Sequence, residues 1–168
     1  MDIEFGHRFI QKIKNIPPAS IITIEGFSGS GKTTIADHLS RILNIHHIDT
    51  DCFIENRTGK EPYINLLDLE HISEIIQSFL TRNKSILFSG ICVRDVLQKI
   101  DFQTSFSIYV KQISSNGLWH GGLNIEDSIN DMDSLSNIDR EPHKSDMKYH
   151  IHVKPHEKAD QIYKYVRD

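Results

Sequence analysis

An apolar, β-branched run, Ser20–Glu25 (SIITIE), leads straight into GFSGSGKTT at 26–34, and Ile35, Ala36, Leu39, Ile42 and Leu43 follow at helical spacing. This junction constrains the fold more than any other part of the chain. Bounded by Pro18 and Gly26, SIITIE reads as a buried strand. The run after it fits G-x-x-x-x-G-K-[ST], from Gly26 through Gly31, Lys32 and Thr33. Gly29 and Gly31 let the backbone bend round a phosphate and aim its N–H groups inward. The helix that starts near Lys32 adds the positive end of its dipole. Gly26, Ser28, Gly29, Ser30, Gly31, Lys32, Thr33 and Thr34 are therefore the candidate nucleotide-binding residues. Lys32 is predicted to reach the β- and γ-phosphates of ATP, and Thr33 to offer its hydroxyl to Mg²⁺.

Strand and helix signals then alternate. Ile3, Phe5, Phe9, Ile10 and Ile13 give a short leading helix over 3–14, stopped by Pro17-Pro18. The helix after the glycine run has Asn44 as its stop, and His46–Ile48 is a brief second strand. Leu66, Leu69, Ile72, Ile76 and Phe79 share one face of a helix over 65–80. SILF (85–88) is a third strand stopped by Gly90, and Val93, Val96, Leu97 and Ile100 mark a short helix. Phe106, Ile108 and Val110 alternate with polar residues in a fourth strand over 104–110. Apolar residues then thin out, and about 112–146 reads as a mobile lid or insert within one domain spanning 1–168. YHIHV (149–153) alternates like a strand; QIYKYV (161–166) reads as a final strand or the end of a helix. Alternating strands and helices imply right-handed crossovers and a mainly parallel α/β sheet. Ligands in such sheets bind at the carboxyl ends of the strands, where GFSGSGKTT, DTD and SGICVRD all fall.

Two carboxylates follow the second strand in HIDTDCF. If the chain stays extended there, Asp49 and Asp51 point to the same side. Phosphoryl transfer to an alcohol needs a carboxylate that orients the hydroxyl and takes its proton, and a second that helps hold Mg²⁺. Asp51 is the candidate base and Asp49 the metal helper; the competing reading makes Asp51 the N-cap of a helix starting at Cys52. The third strand ends in Ser89-Gly90, where many phosphate-loop enzymes carry an acid. Arg94 is a candidate for substrate or phosphate contact, with a solvated first helical turn as the alternative. Arg140 is the candidate cation that closes over the transferring group, and on a helix Lys144 and Lys148 would share its face. Trp119 reads as a substrate wall or as a packing anchor for its loop.

Composition narrows the class. The net charge of −4 and the lack of a basic stripe argue against a nucleic-acid partner. No apolar run is long enough to span a bilayer, and the N-terminus lacks a signal core. Cys52 and Cys92 have no paired spacing, so they read as free thiols in a reducing compartment, with the cytoplasm as the default. None of the ten histidines shows a zinc-site spacing.

IEGFSGSGKTTIADHLSRIL, followed closely by HIDTDCF, resembles the P-loop nucleoside and small-metabolite kinases. Together with Tyr149-His150, Pro155 and Ala159-Asp160, it looks most like the uridine-kinase-like branch. DTDCFIENRTG is also similar to shikimate kinases, through the acidic pair and Ile54, Glu55, Thr58 and Gly59. The resemblance implies a three-layer α/β fold with a five-stranded parallel sheet, a nucleoside triphosphate with Mg²⁺, and a lid. It places phosphate and metal on Lys32 and Thr33, and the acceptor hydroxyl on Asp51. The expected activity is ATP-dependent phosphorylation of a small-molecule hydroxyl, with a nucleoside-like acceptor favoured. A shikimate- or gluconate-type kinase is the alternative, with Arg57 and Arg94 as the basic partners of an acidic acceptor. A non-catalytic nucleotide-binding module is the reading from another class.

Overall fold

The two strands that read as unbroken apolar runs occupy the middle of the sheet. The computed structural model describes residues 5–54, 60–119 and 140–166. In it β1 (Ile21–Glu25) and β3 (Ile86–Gly90) are buried at every position. Five strands pair in the order β2-β3-β1-β4-β5, all parallel, with β2 at His46–Asp49, β4 at Phe106–Ile113 and β5 at Gln161–Val166. The edge strands carry the mixed burial of half-covered positions. Such a sheet with helices on its faces is the α/β architecture expected from the alternation of elements.

Strand alternation sends side chains to two separate cores. Ile86 and Phe88 join Ile48, Ile72, Ile76, Val93, Val96 and Leu97 under α3 (Leu69–Thr81) and α4 (Val93–Lys99). Leu87 joins Ile22, Ile24, Ile35, Ala36, Leu39 and Ile13 under α1 (His7–Lys14) and α2 (Lys32–Leu43). Each fully buried isoleucine of this kind contributes roughly 1.5–3 kcal/mol. Asn44 ends α2 in the left-handed region at φ 53°, as a helix stop of this type does.

The chain winds from β1 through α2 to β2 on one side, and from β3 through α4 to β4 on the other. Strand order therefore reverses at β1, and the crevice at its carboxyl end is the site such sheets offer to ligands. The glycine-rich loop opens into that crevice.

Two sequence expectations change here. YHIHV is not a strand: residues 149–152 end α5 (His143–His152), which buries Asp146, Met147, Tyr149 and His150. Those residues recur at helical spacing, but half of the buried face is polar, so the apolar pattern alone hides it. The helix over 65–80 begins later. Tyr63–Leu66 forms a 3₁₀ turn, and Asp68 caps α3 by accepting from the His71 N–H at 3.0 Å. A short α6 (Pro155–Lys158) leads to β5, so QIYKYV is the final strand of the described chain. Of the segment read as a lid, residues 112–113 extend β4 and 143–146 open α5, while 120–139 lie outside the described residues. Among the described residues no helix is long and apolar enough to cross a membrane.

Candidate active site

Gly31 caps α2 at φ +80°, and Gly29 sits at φ +78°. At Gly31 a side chain is excluded twice. The conformation strains any L-residue, and a Cβ would meet the Tyr165 hydroxyl at 2.5 Å. That hydroxyl donates to the Ser30 carbonyl, so β5 braces the loop from the side. Lys32 Nζ lies 3.5 Å from the Phe27 carbonyl, spanning its own loop. The first turn of α2 thus starts at the loop, with Lys32, Thr33 and Thr34 in it.

Thr33 reaches across to β2. Its hydroxyl donates to Asp49 Oδ2 at 2.7 Å, bringing together the two residues singled out for metal. A hydroxyl and a carboxylate beside a phosphate loop form an oxygen donor set that suits Mg²⁺, which keeps much of its water. Asp49 Oδ1 accepts the Asp51 N–H at 3.0 Å and caps a 3₁₀ turn over Thr50–Phe53. The chain is therefore not extended between the two acids, and the cap is Asp49 rather than Asp51. The turn carries Asp51 out to solvent, where the Tyr63 hydroxyl donates to its Oδ1 at 2.7 Å. Tyr63 is held in turn by Thr50, 2.7 Å away. Burial, foremost, pushes the Tyr63 phenol far above its ordinary range, so it remains a donor to Asp51. Gly90 admits this arrangement, because a Cβ there would collide with the buried Thr50 side chain.

Tyr63 also links the site to α5, through its N–H to Ser145 Oγ at 3.1 Å. Its neighbour Ile64 and Ser145 line a cavity of about 260 Å³ with Cys92, Asp95, Lys148 and Tyr149. Arg140 is exposed and precedes α5, so it does not share the helical face of Lys144 and Lys148. Arg57 lies outside the described residues. Trp119 is buried against Tyr109 and His156, with ring centroids 5.8 and 5.0 Å away, and is a packing anchor.

Arg94 is engaged inside the protein. Its Nε donates to Glu25 Oε1 at 2.9 Å, and a terminal nitrogen donates to the Lys158 carbonyl at 3.3 Å. Glu25, the last residue of β1, is 2% exposed and also accepts from the Tyr149 hydroxyl. Sequence reasoning passed over Glu25; its signal was an acid closing a buried, mostly apolar strand. Burial raises its pKa above the ordinary 4.5, opposed chiefly by Arg94. A folded-state pKa above the unfolded one gives stability that is full below about pH 4.5 and declines as pH rises through the folded value. Arg94→Ala is expected to cost about 3–5 kcal/mol near pH 7, by stranding a buried charge. The deficit should shrink on acidification, as Glu25 takes up a proton. Melting temperatures of both proteins between pH 8 and 4.5 check this; an equal deficit across that range would refute it.

Asp146 was also missed. This fully buried α5 carboxylate accepts the Ser28 N–H at 2.6 Å, tying α5 to the glycine-rich loop. His150 stands 3.2 Å from its other oxygen and bonds the Tyr109 hydroxyl at 2.7 Å. No local pattern marks such a contact between residues 118 positions apart.

A parallel β2-β3-β1-β4-β5 sheet with a phosphate loop after β1 and an acid from β2 on the loop's Thr defines a P-loop α/β protein of the nucleotide-binding kind. Comparison with known proteins narrows this. The shikimate kinase family model matches residues 28–110, just under half of the chain. The chain is 50% identical to the shikimate kinase of Thermus thermophilus over 42 residues, 25% of this chain and 23% of that protein. It is 29% identical to the shikimate kinase of Dictyoglomus turgidum over 113 residues, covering 60% and 64% of the two chains. The chain thus spans less than two thirds of the length of these relatives. In fold it is similar to a possible uridine kinase from Bacillus stearothermophilus, with a TM-score of 0.56 at 19% identity over 92% of this chain and 94% of that one. The resemblance to P-loop small-metabolite kinases is borne out, in sequence toward shikimate kinases and in fold toward the possible uridine kinase.

Proposed function

We propose that this chain is an ATP-dependent phosphotransferase that moves the γ-phosphoryl group to a hydroxyl of a small metabolite. One observation carries the reading: Thr33, Asp49 and Asp51 form a continuous hydrogen-bonded corner at the mouth of the phosphate loop. In it the loop amides and Lys32 hold the β- and γ-phosphates, with Gly26, Ser28 and Thr34 completing the cradle. Thr33 and Asp49 hold Mg²⁺, which when bound neutralises charge on the phosphates. Asp51, steadied by Tyr63, orients the acceptor hydroxyl and takes its proton. Arg140 supplies the cation over the transferring group.

The acceptor side favours a neutral polyol or nucleoside-like molecule. Arg94, one of the two cations available to an acidic acceptor, is bound to Glu25 and the Lys158 carbonyl. The cavity beside Tyr63 presents Asp95 as well as Lys148. The second reading is a shikimate-type acceptor, favoured by the family match over 28–110 and using Arg57.

The test is ADP release from Mg·ATP against nucleosides, shikimate, gluconate and related polyols. Stimulation by a neutral acceptor is the expected result. Stimulation by shikimate alone would move the assignment to the second reading. ATP binding without stimulation by any acceptor or by cell metabolite extract would leave a nucleotide-binding module.

A further inference from the structure

Ser89 stands where many phosphate-loop enzymes carry an acid for the metal, and it is fully buried. Its partners come from two other elements. In the β2–β3 register Asp49 lies opposite Ser89. His47, two residues before Asp49, shares its face of β2. His47 Nε2 is 2.7 Å from Ser89 Oγ, and His47 Nδ1 is 2.7 Å from Asp37 Oδ1 on α2. Ser89 Oγ is 3.2 Å from Asp49 Oδ2, the oxygen that also accepts from Thr33. An unbroken line of polar contacts therefore runs Asp37–His47–Ser89–Asp49–Thr33.

The Ser89 hydroxyl has one hydrogen and two neighbours. A carboxylate can only accept, so Ser89 donates to Asp49 Oδ2, and its lone pairs face the His47 ring nitrogen. Asp49 Oδ2 thus takes two hydroxyl donors, Thr33 from α2 and Ser89 from β3.

Resting on the phosphotransferase reading, we propose that Asp37, His47 and Ser89 are positioning residues for the Mg²⁺ site. Asp37 and His47 anchor Ser89, and the Ser89 hydroxyl holds Asp49 Oδ2 toward Thr33 and the metal.

The experiment uses the full chain, a non-hydrolysable ATP analogue, and Mn²⁺ as a spectroscopic stand-in for Mg²⁺. Mn²⁺ affinity of the protein–analogue complex is read by electron paramagnetic resonance, and analogue affinity in EDTA by calorimetry. D37N, H47A and S89A are each expected to weaken Mn²⁺ binding by about 10- to 100-fold, the range for partners of metal ligands. Analogue affinity in EDTA should stay within about twofold of wild type, against that range. S89T, which keeps the hydroxyl, should retain most of the Mn²⁺ affinity that S89A loses. Unchanged Mn²⁺ binding in D37N, H47A and S89A would overturn the proposal. So would a proportional loss of metal-free binding, or a folded S89T protein that binds Mn²⁺ as weakly as S89A. A wild-type chain that binds the analogue neither with Mn²⁺ nor in EDTA would overturn the phosphotransferase reading as well, which separates the two failures.

Discussion

Asp51→Asn is expected to lower the rate of phosphoryl transfer by about 10²–10⁴-fold, the range for a general base, while leaving nucleotide affinity near wild type. The substitution isolates the charge. Asparagine keeps an acceptor oxygen for the Tyr63 hydroxyl, so the 3₁₀ turn and its brace survive. What goes is the ability to take a proton from an acceptor hydroxyl. Asp51 is exposed, so folding should hold to within about 0.5 kcal/mol, as for most surface positions. Single-turnover transfer to the best acceptor, beside equilibrium binding of the ATP analogue, separates the two effects. Wild-type turnover in the variant would leave Asp51 as a member of the turn and nothing more.

Lys32→Ala is expected to reduce kcat/KM for Mg·ATP by about 10²–10³-fold, as removal of one preorganised donor to developing charge does. Lys32 opens α2 at the loop, and its described side-chain contact is the long bond to the Phe27 carbonyl. Little folding energy is at stake, and the loss should fall on phosphate binding and transfer. Lys32→Arg should recover little, because a planar fork cannot take the place of a compact ammonium inside a closed loop. Titration of each variant with the ATP analogue, beside steady-state kinetics, checks this. Full activity in Lys32→Ala would remove the loop from the chemistry.

Much of this was legible along the chain because the physics there is local. SIITIE and SILF could be read as central strands since a strand buried on both faces is rich in apolar, β-branched residues. The glycine-rich loop could be read because only a few residues bend so tightly next to a helix. Asn44 marked a helix end for the same reason. YHIHV misled because a short alternation fits either period, and α5 buries Asp146 and His150 where apolar residues would have given it away. Asp49 and Asp51 were legible as a pair, one for the metal and one for the acceptor, but the turn between them was not. The Asp49 cap on the Asp51 N–H turns one acid toward Thr33 and the other toward Tyr63.

Local residue order was enough to set the phosphate loop, the alternation of strands and helices, and the crevice into which they converge. Spacing, periodicity and backbone sterics act over a few residues, and one chain records them fully. Partnerships came from packing: Arg94 with Glu25, Asp146 with the Ser28 N–H, and Asp37 through His47 to Ser89. Those pairings join residues 10 to 118 positions apart. They exist because a buried polar group must find a partner wherever packing brings one, and no local pattern encodes that choice.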